Sequence, residues 1–235
     1  MEGGAVQSIV ATDEHALYPI HEEDTVVQGP KHARQCVYLY SVLDTHRPDL
    51  WVNRDICLYW EPGNFQRYRA PDITVIDCPR PADPPNVYLA WQDPALLFVA
   101  EVASEATRGE DLDAKLRDYE QNLRVPEYLF VDPEFRDRRL WRMVEGSYHL
   151  VEPDAEGRVW SANVGVGFGY DGDGFLRAYD AAGSMLLSHT ETTFRAEEEA
   201  RLRAEEARRR IEAEEEVARL RAELERLRGN GDGPN

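Results

Sequence analysis

The sequence predicts a mixed α/β core with the element order α-β-β-β-α-β, added β-hairpins and a long charged helix at the C-terminal end. Three observations predict it. Runs rich in β-formers at 51–60, 71–79 and 96–102 follow a helix-like segment. A second helical stripe at 105–123 then leads into another strand-like run, EYLFVD at 127–132. From Thr193 the composition turns to Ala, Glu, Arg and Leu, with no Pro or Gly until Gly229, as in a long helix.

Residues 1–30 have no sustained period and read as an irregular segment. The core domain is expected over 31–190. Its first helix is predicted from Lys31 to Thr45, with Val37, Tyr40 and Leu43 on one face, and it closes before Pro48. WVNRDICLYW (51–60) reads as one strand bounded by Pro48 and the Pro62–Gly63 turn, and PDITVIDCP (71–79) as the next. LLFVAEV (96–102) is too short for a helix and reads as a buried strand. In the second helix Leu112, Leu116, Tyr119 and Leu123 recur at spacings of four, three and four. After Pro133 short pieces (RRLWRMV, SYHLVE, GRVWS, GFLRAYD) suggest hairpins wrapping a sheet edge.

The tail at 191–228 has two good heptads, Val217, Leu220, Leu224 and Leu227, and a weaker, displaced frame upstream through Ala200, Ala204, Ala207 and Ile211. Two descriptions stay open. One is a homo-oligomeric coiled coil, and the other is a solvated single helix held by Glu–Arg pairs one turn apart. Residues 229–235 (GNGDGPN) are expected to be disordered.

The chain carries 45 Asp+Glu against 27 Lys+Arg, a net charge of −18. From Glu191 onward there are 10 basic and 13 acidic residues, so the first 190 residues hold 17 and 32, a net of −15. That argues against a broad phosphate-binding face, which needs Lys and Arg, but not against a small basic groove or bound metal ions. Cys36, Cys57 and Cys78 are isolated in sequence, suit a reducing cytoplasm and read as small buried hydrophobes. No membrane span and no secretory leader are visible.

Two acids carry the chemistry. Asp72 follows Pro71 at the start of a strand, and Glu101 ends the apolar run VAEV, where a carboxylate is costly without a partner or a metal. Two carboxylates on neighbouring strands can hold a hard cation such as Mg²⁺, which acidifies water and stabilises charge on a phosphoryl group. APDITVID (70–77), FVAEVASEATRGEDLDAKLRDYEQNLRVPEYLFVDP (98–133) and the Glu/Arg/Ala-rich tail, in this order and spacing, resemble the Uma-type family of restriction endonucleases over residues 30–228. The resemblance implies a restriction-endonuclease-like αβββαβ fold with the PD…(D/E)-x-K signature. It implies Asp72 and Glu101 as metal ligands for Mg²⁺ or Mn²⁺, and nucleic acid, DNA above all, as substrate.

The sequence departs from that pattern twice. Ala103 stands where the signature lysine is expected, and the family's alternative lysine in the following helix matches Lys115. Lys115 either acts on the attacking water or the developing charge, or forms an exposed i,i+4 pair with Asp111. The family histidine matches His32, while Gln28 stands in place of a helix acid, giving two further candidate site residues. Ser104 and Thr107 read as helix caps, with Glu110 completing a capping box, and Tyr119 as core. Glu105 and Asp111 are either supporting acids or first-turn charges favoured by the helix dipole. The expected function is a metal-dependent endonuclease with Asp72, Glu101 and Lys115 as its catalytic residues. The alternative is an inactive module of the same fold that assembles through its tail.

Overall fold

A computed structural model describes residues 9–20, 29–104 and 107–229. The chain divides into two units, Met1–Ser188 and His189–Asn235.

The first unit is mixed α/β. After a 3₁₀ turn at His15–Leu17 comes α1 (Pro30–His46), started by Pro30, whose fixed φ suits the first helical turn. The buried stripe of α1 is His32, Gln35, Cys36, Leu39, Val42 and Leu43, at spacings of three and four. Val37, expected on the buried face, is 54% exposed. The face is rotated because polar residues occupy it. Gln35, for example, is buried with both ends of its amide satisfied by the backbone of Leu176.

The run expected as one strand at 51–60 is two strands in different sheets: β1 (Trp51–Asn53) and β2 (Cys57–Tyr59). Between them the Asn53 side chain accepts the N–H of Arg54, and Asp55 takes φ +55°, so the backbone turns out of the first sheet. Next come β3 (Tyr68–Arg69), β4 (Ile73–Ile76), β5 (Val87–Leu89) and β6 (Leu96–Val102). The helical stretch α2 starts with one α-helical turn, Arg108–Glu110, and continues through π-helical turns at Asp111–Lys115 and Asp118–Asn122. β7 (Glu127–Asp132), β8 (Asp137–Val144) and β9 (Ser147–Leu150) follow, then β10 (Val159–Ser161), β11 (Val166–Tyr170) and β12 (Leu176–Tyr179).

The main sheet has the order β1-β4-β6-β7-β8-β9. Among its described strands β6 and β7 are the parallel pair, as a strand–helix–strand connection through α2 requires, and the other pairs of this sheet are antiparallel. The β8–β9 hairpin extends this sheet rather than wrapping its edge. The later hairpins form a sheet of their own, β10-β11-β12, and β3-β2-β5 form a third. One apolar layer joins α1 and the β10–β12 sheet to the face of the main sheet bearing Phe98, Ala100 and Val102. A second layer joins α2 and part of β2 to the face bearing Val99 and Phe130. By strand alternation Glu101 lies on this second face, toward α2.

The layers are tied at Glu127, which is buried on β7. Its carboxylate accepts from Arg142 Nε at 2.8 Å, from the N–H groups of Ala162 and Asn163 and from the hydroxyl of Ser161, fixing the turn from β10 into β11.

The second unit contains α3 (His189–Gly229). Glu–Arg pairs one turn apart line it, among them Arg209–Glu205 at 2.6 Å and Arg210–Glu214 at 2.9 Å. Its large apolar residues Phe194, Leu202, Ile211, Val217, Leu220 and Leu224 are 47–66% exposed. Among the described residues no helix is long and apolar enough to cross a membrane.

Candidate active site

The site is built where β4, β6, α1 and α2 meet. In the antiparallel register of β4 and β6, Ile73 faces Ala100, so Asp72 comes opposite Glu101 at the sheet's end. Asp72 Oδ2 accepts the backbone N–H of Val102 at 2.7 Å, a bond made by position alone. Because Asp72 precedes its strand, it is also reached from α1, where His32 Nε2 lies 3.3 Å from Asp72 Oδ1. Cys36, one turn further along α1, has Sγ 3.6 Å from His32 Nδ1 and 3.8 Å from Nε2.

On the α2 side Lys115 is buried, with Nζ 3.1 Å from Glu101 Oε2 and 3.1 Å from Asp111 Oδ1. The pair with Asp111 expected on an exposed face is therefore an interior one. Asp111 itself is 1% exposed. Ala103, on the same face of β6 two residues after Glu101, brings no charge, and the ammonium beside Glu101 comes from α2. Tyr119 donates its hydroxyl to Glu101 Oε1, so it belongs to the site as well as to the core. The expected capping box is not formed by Glu110, which pairs instead with Arg69 at 3.0 Å. Ser104 and Thr107 cap the start of α2 reciprocally, each hydroxyl accepting the other's backbone N–H.

The electrostatics separate the acids. Burial pushes the Asp72 carboxyl up, but His32, the Val102 N–H and Lys115 outweigh it and hold the group below the usual carboxylate range. For Glu101 burial dominates. Lys115 and the Tyr119 hydroxyl oppose it, Asp72 and Asp111 reinforce it, and the carboxyl stands well above its usual range. Asp111 is raised as well, mainly by burial against the pull of Lys115. The Cys36 thiol is pushed up by burial and by Asp72.

A divalent cation fits this donor set. Glu101 and Asp111 put two buried carboxylates on the ammonium of Lys115, and Asp72, opposite Glu101 and paired with His32, adds a third buried acid to the site. The carboxylate oxygens of Asp72 and Glu101 keep lone pairs beyond the hydrogen bonds they accept. Of the residues singled out in the sequence, Asp72, Glu101, Lys115 and His32 converge, while Gln28 and Glu105 lie outside the described residues. Sequence reasoning missed Cys36 as a site neighbour and Tyr119 as a partner of Glu101. The signals were the i,i+4 spacing of His32 and Cys36 and of Lys115 and Tyr119.

No curated protein matches the chain. A solved structure described as a putative nuclease belonging to DUF820, from Anabaena variabilis ATCC 29413, resembles it at 18% identity with a TM-score of 0.42, covering 55% of this chain and 70% of that one. The Uma2 family model, described as "Putative restriction endonuclease", matches residues 11–172. The chain, with its mixed sheet and C-terminal helix, is thus a member of the Uma2 family of restriction-endonuclease-like proteins.

Proposed function

We propose that the chain is a Mg²⁺- or Mn²⁺-dependent endonuclease that hydrolyses phosphodiester bonds in DNA. The observation that carries this reading is Lys115, buried between Glu101 and Asp111 beside Asp72. Asp72 and Glu101 would hold the cation, which when bound supplies Lewis-acid polarisation of the scissile phosphoryl group. In the reaction water adds to phosphorus, the bond to the leaving sugar oxygen breaks, and the proton lost by water is taken up by solvent or by the leaving oxygen. The Lys115 ammonium would stabilise the charge that develops on a phosphoryl oxygen in the transition state. The Val102 N–H, Tyr119 and His32 hold the two acids in place.

The net charge of −15 outside the tail argues against a broad DNA-binding face. It leaves room for a local one. A cleft lined by Tyr40, Asn53, Arg54, Asp55, Arg80 and Asn86 adjoins the site, since Asp55 feels the charges of Asp72 and His32. Arg54 and Arg80 there are the side chains suited to phosphates.

The test is cleavage of supercoiled plasmid and of single-stranded oligonucleotides by the metal-stripped full chain, with and without added Mg²⁺ or Mn²⁺. Metal-dependent nicking that disappears in both Asp72→Asn and Glu101→Gln supports the reading. Equal residual cleavage in both variants sinks it. A second reading, assembly through the tail, is favoured by the exposed Val217, Leu220 and Leu224 on α3. In that case the helix self-associates and the core binds no metal.

A further inference from the structure

His32, Cys36 and Asp72 converge from two elements, with one donor atom of each within 4.8 Å of the others. We propose that they form a binding site for a thiophilic divalent ion of the Zn²⁺ class. The geometry points to a tetrahedral ion. Bonds of about 2.0 Å to nitrogen or oxygen and about 2.3 Å to sulfur hold a nitrogen–oxygen pair roughly 3.3 Å apart and a nitrogen–sulfur pair roughly 3.5 Å apart. His32 Nε2 lies 3.3 Å from Asp72 Oδ1, as such an ion requires, whereas Cys36 Sγ, 3.6 Å from His32 Nδ1 and 3.8 Å from Nε2, flanks the ring and closes on the ion by turning about its Cα–Cβ bond. His32 and Cys36 reach the site together because residues four apart on a helix share a face.

The donors are one nitrogen, one sulfur and one oxygen. Mg²⁺ prefers oxygen alone, whereas thiolate and imidazole favour Zn²⁺ and its neighbours. Exposure is 6% for His32, 0% for Cys36 and 8% for Asp72. Bulk water therefore competes weakly for the ion, and the slight opening at His32 and Asp72 admits it with a water as fourth ligand. Binding forms a metal–sulfur bond as the thiol proton leaves to solvent. Asp72 would then be shared with the hard cation of the proposed nuclease, so Zn²⁺ would compete with Mg²⁺. Only this consequence rests on the nuclease reading.

The experiment uses the full chain, reduced and stripped of metal. Titration with Co²⁺ should give one equivalent bound and a near-ultraviolet thiolate-to-cobalt charge-transfer band. X-ray absorption of the Zn²⁺ form should show one sulfur neighbour at about 2.3 Å beside nitrogen and oxygen at about 2.0 Å. Cys36→Ser should lose the band and bind Zn²⁺ at least tenfold more weakly, while Cys57→Ser and Cys78→Ser keep both. The proposal is overturned if the wild-type chain gives no band, if the band survives Cys36→Ser, or if no sulfur neighbour is seen. Circular dichroism checks that Cys36→Ser folds, and if it does not, the wild-type absorption spectrum decides alone. Failure of Mg²⁺-dependent cleavage overturns the nuclease reading and leaves these spectra untouched.

Discussion

Lys115 Nζ stands 3.1 Å from Glu101 Oε2, reaching from the π-helical first half of α2 to the end of β6. The contact joins two side chains 14 residues apart in the sequence, and it gives Glu101 the cationic neighbour that Ala103 does not provide. π-helical turns recur at functional sites because the widened turn re-aims side chains.

Lys115→Ala should therefore lower the rate of metal-dependent cleavage by about 10²–10³-fold, the usual cost of removing one donor to developing charge. Metal affinity, read by calorimetry, should change far less. A loss of affinity as large as the loss of rate would reassign Lys115 to holding the acids rather than to the transition state.

Tyr119 tests the other oxygen of Glu101. Its ring packs 5.0 Å from that of Tyr128 and is fully buried, so Tyr119→Phe keeps the packing and removes only the donor to Glu101. The variant should lose about 1 kcal/mol of stability in urea unfolding, the usual net contribution of one hydrogen bond. An unchanged midpoint would mean that Glu101 finds another partner.

Much of the element order was legible in the sequence, because strands and helices show in local patterns. LLFVAEV and EYLFVD are strands with the expected bounds, and Pro71–Asp72 leads into β4 as its spacing implied. The break between β1 and β2 is marked only by Asn53-Arg54-Asp55, turn-prone residues inside an otherwise β-forming run, with Asn53 bonding the next N–H. The rotation of α1 was hidden for a different reason. A stripe read from apolar residues alone passes over His32 and Gln35, which are buried because distant residues, Asp72 and Leu176, partner them. Burial of Asp111 likewise depends on Lys115 and the close approach of Tyr128, whose hydroxyl donates to the Asp111 carbonyl.

Away from the site, Asp171 gives a pH signature. Partial burial pushes its carboxyl up, but the Phe175 N–H, Arg177 and the Asp173 N–H outweigh it and hold the group below its usual range. A depressed carboxylate stabilises the fold above its unfolded value, about 3.9, and loses that contribution as pH falls through the lower folded value. Asp171→Asn should thus be less stable by about 1 kcal/mol at neutral pH and show a shallower fall in stability below about pH 4. Parallel acid limbs for the two proteins in urea unfolding would contradict this assignment.

The tail yields the last prediction. Val217, Leu220 and Leu224 are 47%, 48% and 54% exposed on α3, spaced three and four apart as a coiled-coil seam requires. Glu–Arg pairs along α3 each contribute about 0.2–0.5 kcal/mol, which supports the helix but leaves its apolar seam uncovered. The expected partner is a second copy of the chain. Sedimentation of the full protein should give a dimer or trimer, and Leu220→Asp with Leu224→Asp should shift it to monomer while leaving the core's thermal transition in place. If the wild-type chain sediments as a monomer at tens of micromolar, α3 is a solvated single helix held by its own ion pairs, and the exposed leucines have no role in self-association.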